Sequence, residues 1–427
     1  MTQPPANQGG AKSGTLQHRA QRTGRFLLYA LLFAIPFSTA AVEILFPLML
    51  ACWLIGWSPW RNDRGSVWGL ASTQTLMLSL LLYVAVCTWS VTYSGFPYTS
   101  LEGLVGKTFE YALLLLLIAD IAQDPSVVRK GLTVLLWASV AVCAYSLLQQ
   151  TIGLELLKHG DHEMHRHTLL YGRMVGPFKN PNDLATYLMV VCAIALGRII
   201  SYPSKPPWPL IALAFTLAGC LAWTESRGAL IGFFSGMLVL IAANAHRRRV
   251  WAASAAIAAL ILVTLIVGGV MPVKIFSFFS DAGAQERGVM WSTAYGMIRE
   301  RPLLGMGINT FMSNYLHYVT GPNQGPSYAH NCFLQIAAET GLVGLGLFFW
   351  FLCSLTALPL ASLRQLNKHP IYPSVASLLA ALMAFLVKSA FDTNLYALRQ
   401  AALFWTLAGL TVALSLCAPS PQRRPAE

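Results

Sequence analysis

The feature that most constrains this chain is a series of apolar segments, each long enough to cross a hydrocarbon layer, that recurs from residue 25 to residue 417. A bilayer core of about 30 Å asks for roughly 20 apolar residues in helical form. A helix suits that setting because it satisfies every backbone polar group internally. Spans are predicted near 25–40, 42–57, 70–92, 104–121, 131–152, 182–199, 208–223, 229–245, 250–270, 331–352, 373–391 and 399–417. The expected fold class is an all-α integral membrane protein of about 12 transmembrane helices, which puts both termini on one side. Only 11% of the residues are charged, against about 25% in an ordinary soluble domain, so a separate soluble domain is excluded. The expected organisation is a disordered basic arm over 1–24, one polytopic domain over 25–417 and a short tail over 418–427. The first two spans are short and part only around Glu43, so a re-entrant pair is the alternative there.

Orientation follows from the basic residues. Arg19, Arg22 and Arg25, then Arg61 and Arg64, Arg129 and Lys130, the run Arg247 to Arg249, Arg364 and Lys368, and Arg423 and Arg424 all fall on the side of the termini. Positive charge gathers in cytoplasmic loops, so that side is the cytoplasm. The same bias explains the net charge of +12 without nucleic acid. The eight cysteines sit in or beside apolar runs with no metal-type spacing and read as small core hydrophobes.

Basic residues on the opposite side break this bias and need another cause. Some pair with acids at a wet surface. Two segments there are long. The first, 153–181, carries His159, His162, His165 and His167 without an HExxH pattern or a second ligand cluster. It is expected to be a solvated loop, with no metal and no cofactor. The second, 271–330, joins the ninth and tenth spans. Within it, 284–300 fits an amphipathic helix, with Arg287 beside a stripe of Trp291, Tyr295 or Ala294, and Ile298. The glycines of LLGMG force a turn, and NTFMSNYLHYV starts a second short helix. The tenth span then opens with Ser327 as its cap and Tyr328, Ala329, His330 and Asn331 in its first turn.

A histidine in a first helical turn feels the positive end of the helix dipole, which disfavours imidazolium. His330 is therefore either a base for a hydroxyl or a boundary histidine that satisfies a backbone group. Arg227, in the tight turn WTESRGAL, either pairs with Glu225 or grips phosphate oxygens together with Arg287. Arg173 precedes the sixth span on the same face. Asn180-Pro181-Asn182-Asp183 is a cap signal for that span. Lys107 and Glu110 are an internal pair or part of a cavity wall. There is no P-loop and no GxGxxG motif, so energy must arrive within the substrate. An anionic lipid headgroup attacked by a hydroxyl fits these residues.

The ordered motifs GPFKNPNDLATYL, TESRGALIGF, ERGVMWSTAYGMIRERPLLGMGINTF and YAHNCFLQIAAETGLVGLGLF resemble the O-antigen ligase and polymerase superfamily of bacterial envelope glycosyltransferases. The resemblance implies a GT-C-like fold in the bacterial inner membrane, with the 271–330 loop on the periplasmic face. It implies inverting, metal-independent transfer of a glycan from undecaprenyl pyrophosphate to an acceptor sugar, lipid A-core for a ligase. Arg227 and Arg287 match the arginines that contact the donor pyrophosphate, His330 matches the proposed base, and Arg173 matches less tightly. Tyr328, Asn331, Lys107 and Asn180 are expected as cavity or support residues. The long loop and compact chain look most like a ligase, with a polymerase or a protein O-oligosaccharyltransferase as alternatives. A transporter or flippase is the alternative of another class, for which Lys388 and Glu339 within spans would be the residues of a conduction path.

Overall fold

The computed structural model describes residues 8–56, 70–153, 172–202, 205–244, 248–267, 282–320, 325–366 and 369–417. Among the described residues it is helical, with no strand. The order is α1 (Gln8–Ala34), α2 (Thr39–Gly56), α3 (Ala71–Thr92), α4 (Pro97–Gly103), a π-helical turn (Leu104–Phe109), α5 (Glu110–Ile121), α6 (Pro125–Ile152) and α7 (Pro181–Ser201). There follow α8 (Trp208–Trp223), α9 (Arg227–Asn244), α10 (Arg248–Val267), α11 (Ala282–Glu300), α12 (Phe311–Tyr318), α13 (Cys332–Gln365), α14 (Tyr372–Ser389) and α15 (Leu398–Ser415). Eight of these, α2, α3, α6, α7, α9, α13, α14 and α15, are long and apolar enough to cross a membrane, and α8 is a shorter apolar helix. The all-α membrane class is as expected.

Several local expectations are corrected. Residues 8–24, expected to be disordered, form the first turns of α1. Ala20 is buried, and the Gln21 side-chain amide donates to the Gly56 carbonyl at 3.4 Å, so the turn around these two residues packs on the end of α2. The break between the first two helices falls at residues 35–38 rather than at Glu43, which lies inside α2. The expected span 104–121 is interrupted by the π-helical turn. The four-histidine segment and the first part of the long loop, 268–281, lie outside the described residues.

The centre of the bundle is α14 and α15, whose residues are almost all buried. α14 packs on α9 and α7, and α15 packs on α5. Close approach of α9 to α14 depends on small residues: a Cβ on Gly232 or Gly236 would lie 2.6 Å from the Ala384 carbonyl or 2.8 Å from the Ala380 carbonyl. Such small-residue seams let membrane helices bring backbones together where lipid offers no hydrophobic drive.

The long loop acts on α13 in a way that its sequence does not advertise. α13 is broken at Gly341 (φ 69°, ψ −177°), and residues 302–307 are spliced into the break. Met306 N–H donates to Ala338 O at 2.9 Å and Gly307 N–H to Glu339 O at 2.9 Å. On the other flank Leu342 N–H donates to Pro302 O at 2.8 Å and Val343 N–H to Leu303 O at 3.3 Å. The backbone groups that the break frees are thus paired, which a broken helix at membrane depth requires. The buried Glu339 carboxylate completes the splice. It accepts from Asn309 N–H at 2.9 Å, Phe311 N–H at 3.3 Å, the Gln335 amide at 3.2 Å and the Tyr396 hydroxyl at 3.0 Å. Glu339 therefore anchors a loop.

α11 lies across this splice. Its buried stripe is Met290, Ala294 and Met297, packed with Met306, Phe311, Tyr315, Ala329 and Ala338. Trp291 and Tyr295, expected beside Arg287 on the apolar face, are 36% and 65% exposed. The stripe is rotated because the helix packs on protein through its methionines.

Candidate functional site

Five segments meet towards one end of the bundle: 172–180 before α7, the α8–α9 turn, the first turns of α11, the loop before α13, and the 390–397 loop between α14 and α15.

Asn180 caps α7 by accepting from Asp183 N–H at 2.9 Å, with Pro181 at the first helical position, the arrangement expected from the sequence. Ahead of that cap the chain runs alongside the α8–α9 turn. Met174 N–H donates to Trp223 O at 3.2 Å, and the Arg173 Nε–H donates to Thr224 O at 2.9 Å. From the turn itself, the Ser226 hydroxyl donates to Asn182 Oδ1 at 2.8 Å. Glu225 sits in the left-handed region (φ 53°), and α9 begins at Arg227. Arg173 and Arg227 are therefore held near one another by backbone, and α11 supplies Arg287. Burial is the main force pushing the Arg173 guanidinium below its ordinary pKa. Glu225 opposes the shift, while Arg287 and Arg227 add to it. Arg227 and Arg287 thus each lie within electrostatic reach of Arg173. Guanidinium groups so placed suit oxyanions, which they can grip bidentately, while Glu225 offsets part of their charge.

His330 is not in the first turn of α13. Asn331 is the cap, accepting from Phe333 N–H at 3.0 Å and Leu334 N–H at 3.1 Å, and Ser327 is four residues too early. His330 precedes the cap in the left-handed region (φ 47°), a costly conformation for a residue with a Cβ. The helix-dipole argument therefore loses its geometry, and the group that faces His330 is a carboxylate. His330 Nδ1 lies 3.6 Å from Asp392 Oδ1, with the histidine side chain 36% exposed and the aspartate 12%. The arrangement leaves Nε2 as the nitrogen away from the carboxylate.

Asp392 is tied down on all sides. Its other oxygen pairs with the buried Lys388 ammonium, one helical turn earlier. Its Oδ1 accepts from Thr393 N–H at 2.8 Å, and its carbonyl accepts from Cys332 N–H at 3.1 Å. Burial alone would raise its pKa, but Lys388 and His330 outweigh burial and hold the carboxyl well below the usual range. Lys388 is thus occupied as the counter-ion of Asp392, and its place on a conduction path is replaced by that role.

A depressed pKa contributes stability that is present above the unfolded value, about 3.9 for aspartate. The contribution is lost as pH falls through the folded value. Thermal unfolding of the purified protein is therefore expected to be flat from pH 5 to 8 in this contribution and to weaken below about pH 4. Asp392→Asn removes that acid-side slope; an unchanged slope in the variant contradicts the pairing.

Tyr328 stacks obliquely on Tyr396, with ring centroids 6.1 Å apart. Lys107 does not pair with Glu110. Its ammonium donates to Asn309 Oδ1 at 2.7 Å and lies 5.6 Å from the Tyr396 ring centroid, which makes it the wall of a cleft. Sequence reasoning missed Asp392 and Tyr396 as site residues. The i, i+4 spacing of Lys388 and Asp392 at a helix end was the available signal. The partnership of Asp392 with His330, 62 positions away, had none. Among the described residues no cluster of three metal-binding side chains occurs.

The fold and this rim define a multi-pass membrane protein that carries arginines, a histidine and a carboxylate at one end of its bundle. Residues 212–349, from α8 to the middle of α13, match the family model Wzy_C, O-antigen ligase. The chain is also similar to the exopolysaccharide production protein ExoQ of Rhizobium meliloti (strain 1021), 24% identical over 188 residues. That similarity covers 40% of this chain and 43% of the relative, so the chain spans less than half the length of the curated relative. These matches bear out the resemblance to the O-antigen ligase superfamily. The family-model match contains Arg227, Arg287 and His330.

Proposed function

We propose that this protein is a glycosyltransferase of the O-antigen ligase type, acting on lipid-linked glycan at the periplasmic face of a bacterial inner membrane. It crosses that membrane about 12 times, with both termini in the cytoplasm. The donor is a glycan on undecaprenyl pyrophosphate and the acceptor is a sugar hydroxyl of lipid A-core. Arg173, Arg227 and Arg287 hold the pyrophosphate, and His330 Nε2 takes the proton of the accepting hydroxyl. That oxygen bonds to the anomeric carbon from the face opposite the leaving group, inverting it. The bond from the anomeric carbon to the pyrophosphate oxygen breaks, and the charge on the departing undecaprenyl pyrophosphate is stabilised by the guanidinium groups. Asp392 fixes the ring and its tautomer, as a carboxylate does for a catalytic imidazole. No metal is required in this scheme.

The reading is supported by the placing of Arg227 and Arg287 within electrostatic reach of Arg173 and by the Asp392 carboxylate facing His330. The test is reconstitution in liposomes with a lipid-linked glycan and lipid A-core. The proposal expects consumption of donor only when acceptor is present and without net translocation. Translocation without transfer would instead make the protein a flippase. The relative is named for exopolysaccharide production, which leaves the acceptor open, and the second reading is a polymerase that extends the glycan on its lipid carrier. A deletion strain separates the two: finished polymer on undecaprenyl pyrophosphate accumulates if the protein is a ligase, single repeats if it is a polymerase.

Arg227→Lys and Arg287→Lys are each expected to lower turnover by about a hundredfold, because an ammonium loses the bidentate grip while keeping the charge. Wild-type rates in both variants remove these residues from the site.

A further inference from the structure

A cleft opens beside the candidate site between α3, the π-helical turn, the α13 splice and α15. Its mouth is Lys107, Asn309 and Tyr396; its floor is Tyr83, Phe348 and Trp405, with Val84 on the α3 side. The mouth offers an ammonium, an amide and a phenol, the groups that hydrogen-bond sugar hydroxyls. The floor is aromatic and aliphatic and descends between helices.

The 390–397 loop orders the parts of the site. At its start Phe391 meets α9 immediately behind Arg227: a Cβ on Gly228 would lie 3.0 Å from the Phe391 Cβ. Next along the loop, Asp392 faces His330. At its far end Tyr396 lines the cleft and stacks on Tyr328, two residues before His330. The sequence in space is therefore arginine set, imidazole, cleft. Inverting displacement needs the nucleophile to arrive from the side opposite the leaving group, so an acceptor reaching His330 comes from the cleft.

We infer that the cleft bounded by Lys107, Asn309, Tyr396 and the α3 face at Val84 is the acceptor subsite and takes a glycolipid, its sugar at the mouth and its hydrocarbon chain on the floor. The inference rests on the proposed transferase reading. It adds that the accepting hydroxyl is presented close to the membrane, by an amphiphile bound through both of its ends.

The test uses the full protein in nanodiscs and a series of n-alkyl β-glucosides from hexyl to decyl, with free glucose as the chainless control. Direct binding is measured by titration, and inhibition of transfer is measured against the acceptor. Wild type is expected to bind the glucosides about tenfold more tightly for each two carbons added, up to the length of the cleft. Val84→Trp, which fills the floor, is expected to flatten this dependence and raise the acceptor KM at least tenfold with donor affinity unchanged. Lys107→Met is the second variant, expected to raise the acceptor KM while keeping the chain-length dependence. Comparison at equal chain length cancels partitioning into the bilayer. A chain-length dependence identical in wild type and Val84→Trp overturns the inference, as does a Lys107→Met defect confined to donor binding. Glucoside binding that follows the chain length in a protein without transfer supports the cleft while overturning the transferase reading. Transfer without chain-length discrimination overturns the cleft alone.

Discussion

His330→Ala is expected to reduce glycan transfer about a thousandfold while leaving donor affinity within a fewfold of wild type. A general base contributes on the order of 10² to 10⁴ in rate, and His330 is not one of the guanidinium groups that hold the anion. Asp392→Asn is expected to fall in the same range for a different reason. An amide carries no charge to hold Nδ1–H, so the ring turns or adopts the wrong tautomer, a change that costs about 10⁴ in a serine protease triad. The two defects are separable. Asp392→Asn also strands the buried Lys388 ammonium, and breaking a buried pair from one side costs about 3–5 kcal/mol. The double variant Asp392→Asn with Lys388→Met removes that stranded charge. It is expected to regain most of the lost thermal stability and none of the activity. Activity restored along with stability means that Asp392 serves only the fold. Loss of donor binding in His330→Ala, measured with labelled lipid-linked glycan, removes the base assignment.

The class of fold was legible because hydropathy over 20 residues is a statement about solvent, and lipid leaves the backbone few options. The cap at Asn180-Pro181 was legible for a related reason: it is local, whereas the hydrogen bond from Arg173 to Thr224 joins residues 51 positions apart. What the sequence concealed is long-range. Asp392 read as one more acid in an outer loop, since nothing in its neighbours reveals that Cys332 N–H and His330, about 60 positions earlier, complete its environment. Lys388 and Glu339 read as charges inside spans, a pattern that suggests conduction by default. Their partners are a carboxylate one turn on and two backbone amides of a spliced loop. The rotated face of α11 has the same origin. Periodicity ranked Trp291, Tyr295 or Ala294, and Ile298 as one stripe; Ala294 and Ile298 do pack inward, whereas the place of Trp291 and Tyr295 is taken by Met290 and Met297.

Gly341→Ala is expected to destabilise the protein by roughly 4 kcal/mol or more and to abolish transfer, although Gly341 is not placed to touch substrate. The backbone there is at φ 69°, ψ −177°, a region that residues with a Cβ enter only at a cost of about 1–3 kcal/mol. Strain is the smaller part. A Cβ at this position would lie 2.1 Å from the Leu303 carbonyl oxygen and 2.2 Å from its carbon, so the 302–307 segment has to leave the break. Its departure unpairs Ala338 O, Glu339 O and the amides of Leu342 and Val343, each at about 1–3 kcal/mol where water is scarce. It also takes Asn309 and Phe311 away from the Glu339 carboxylate. With them moves the wall that holds Tyr396, Tyr328 and the left-handed turn at His330. The E-x-G ending of the motif AHN-x-x-L-x-x-x-x-E-x-G thus has a mechanical meaning: the glutamate captures the loop and the glycine makes room for it. Gly346→Ala, in the same helix with nothing within 4 Å of the added carbon, is the control and is expected to be neutral or slightly stabilising. Thermal unfolding in detergent and donor turnover in liposomes check both variants. A Gly341→Ala protein that melts with wild type and turns over normally removes the splice as the element that holds the site in shape.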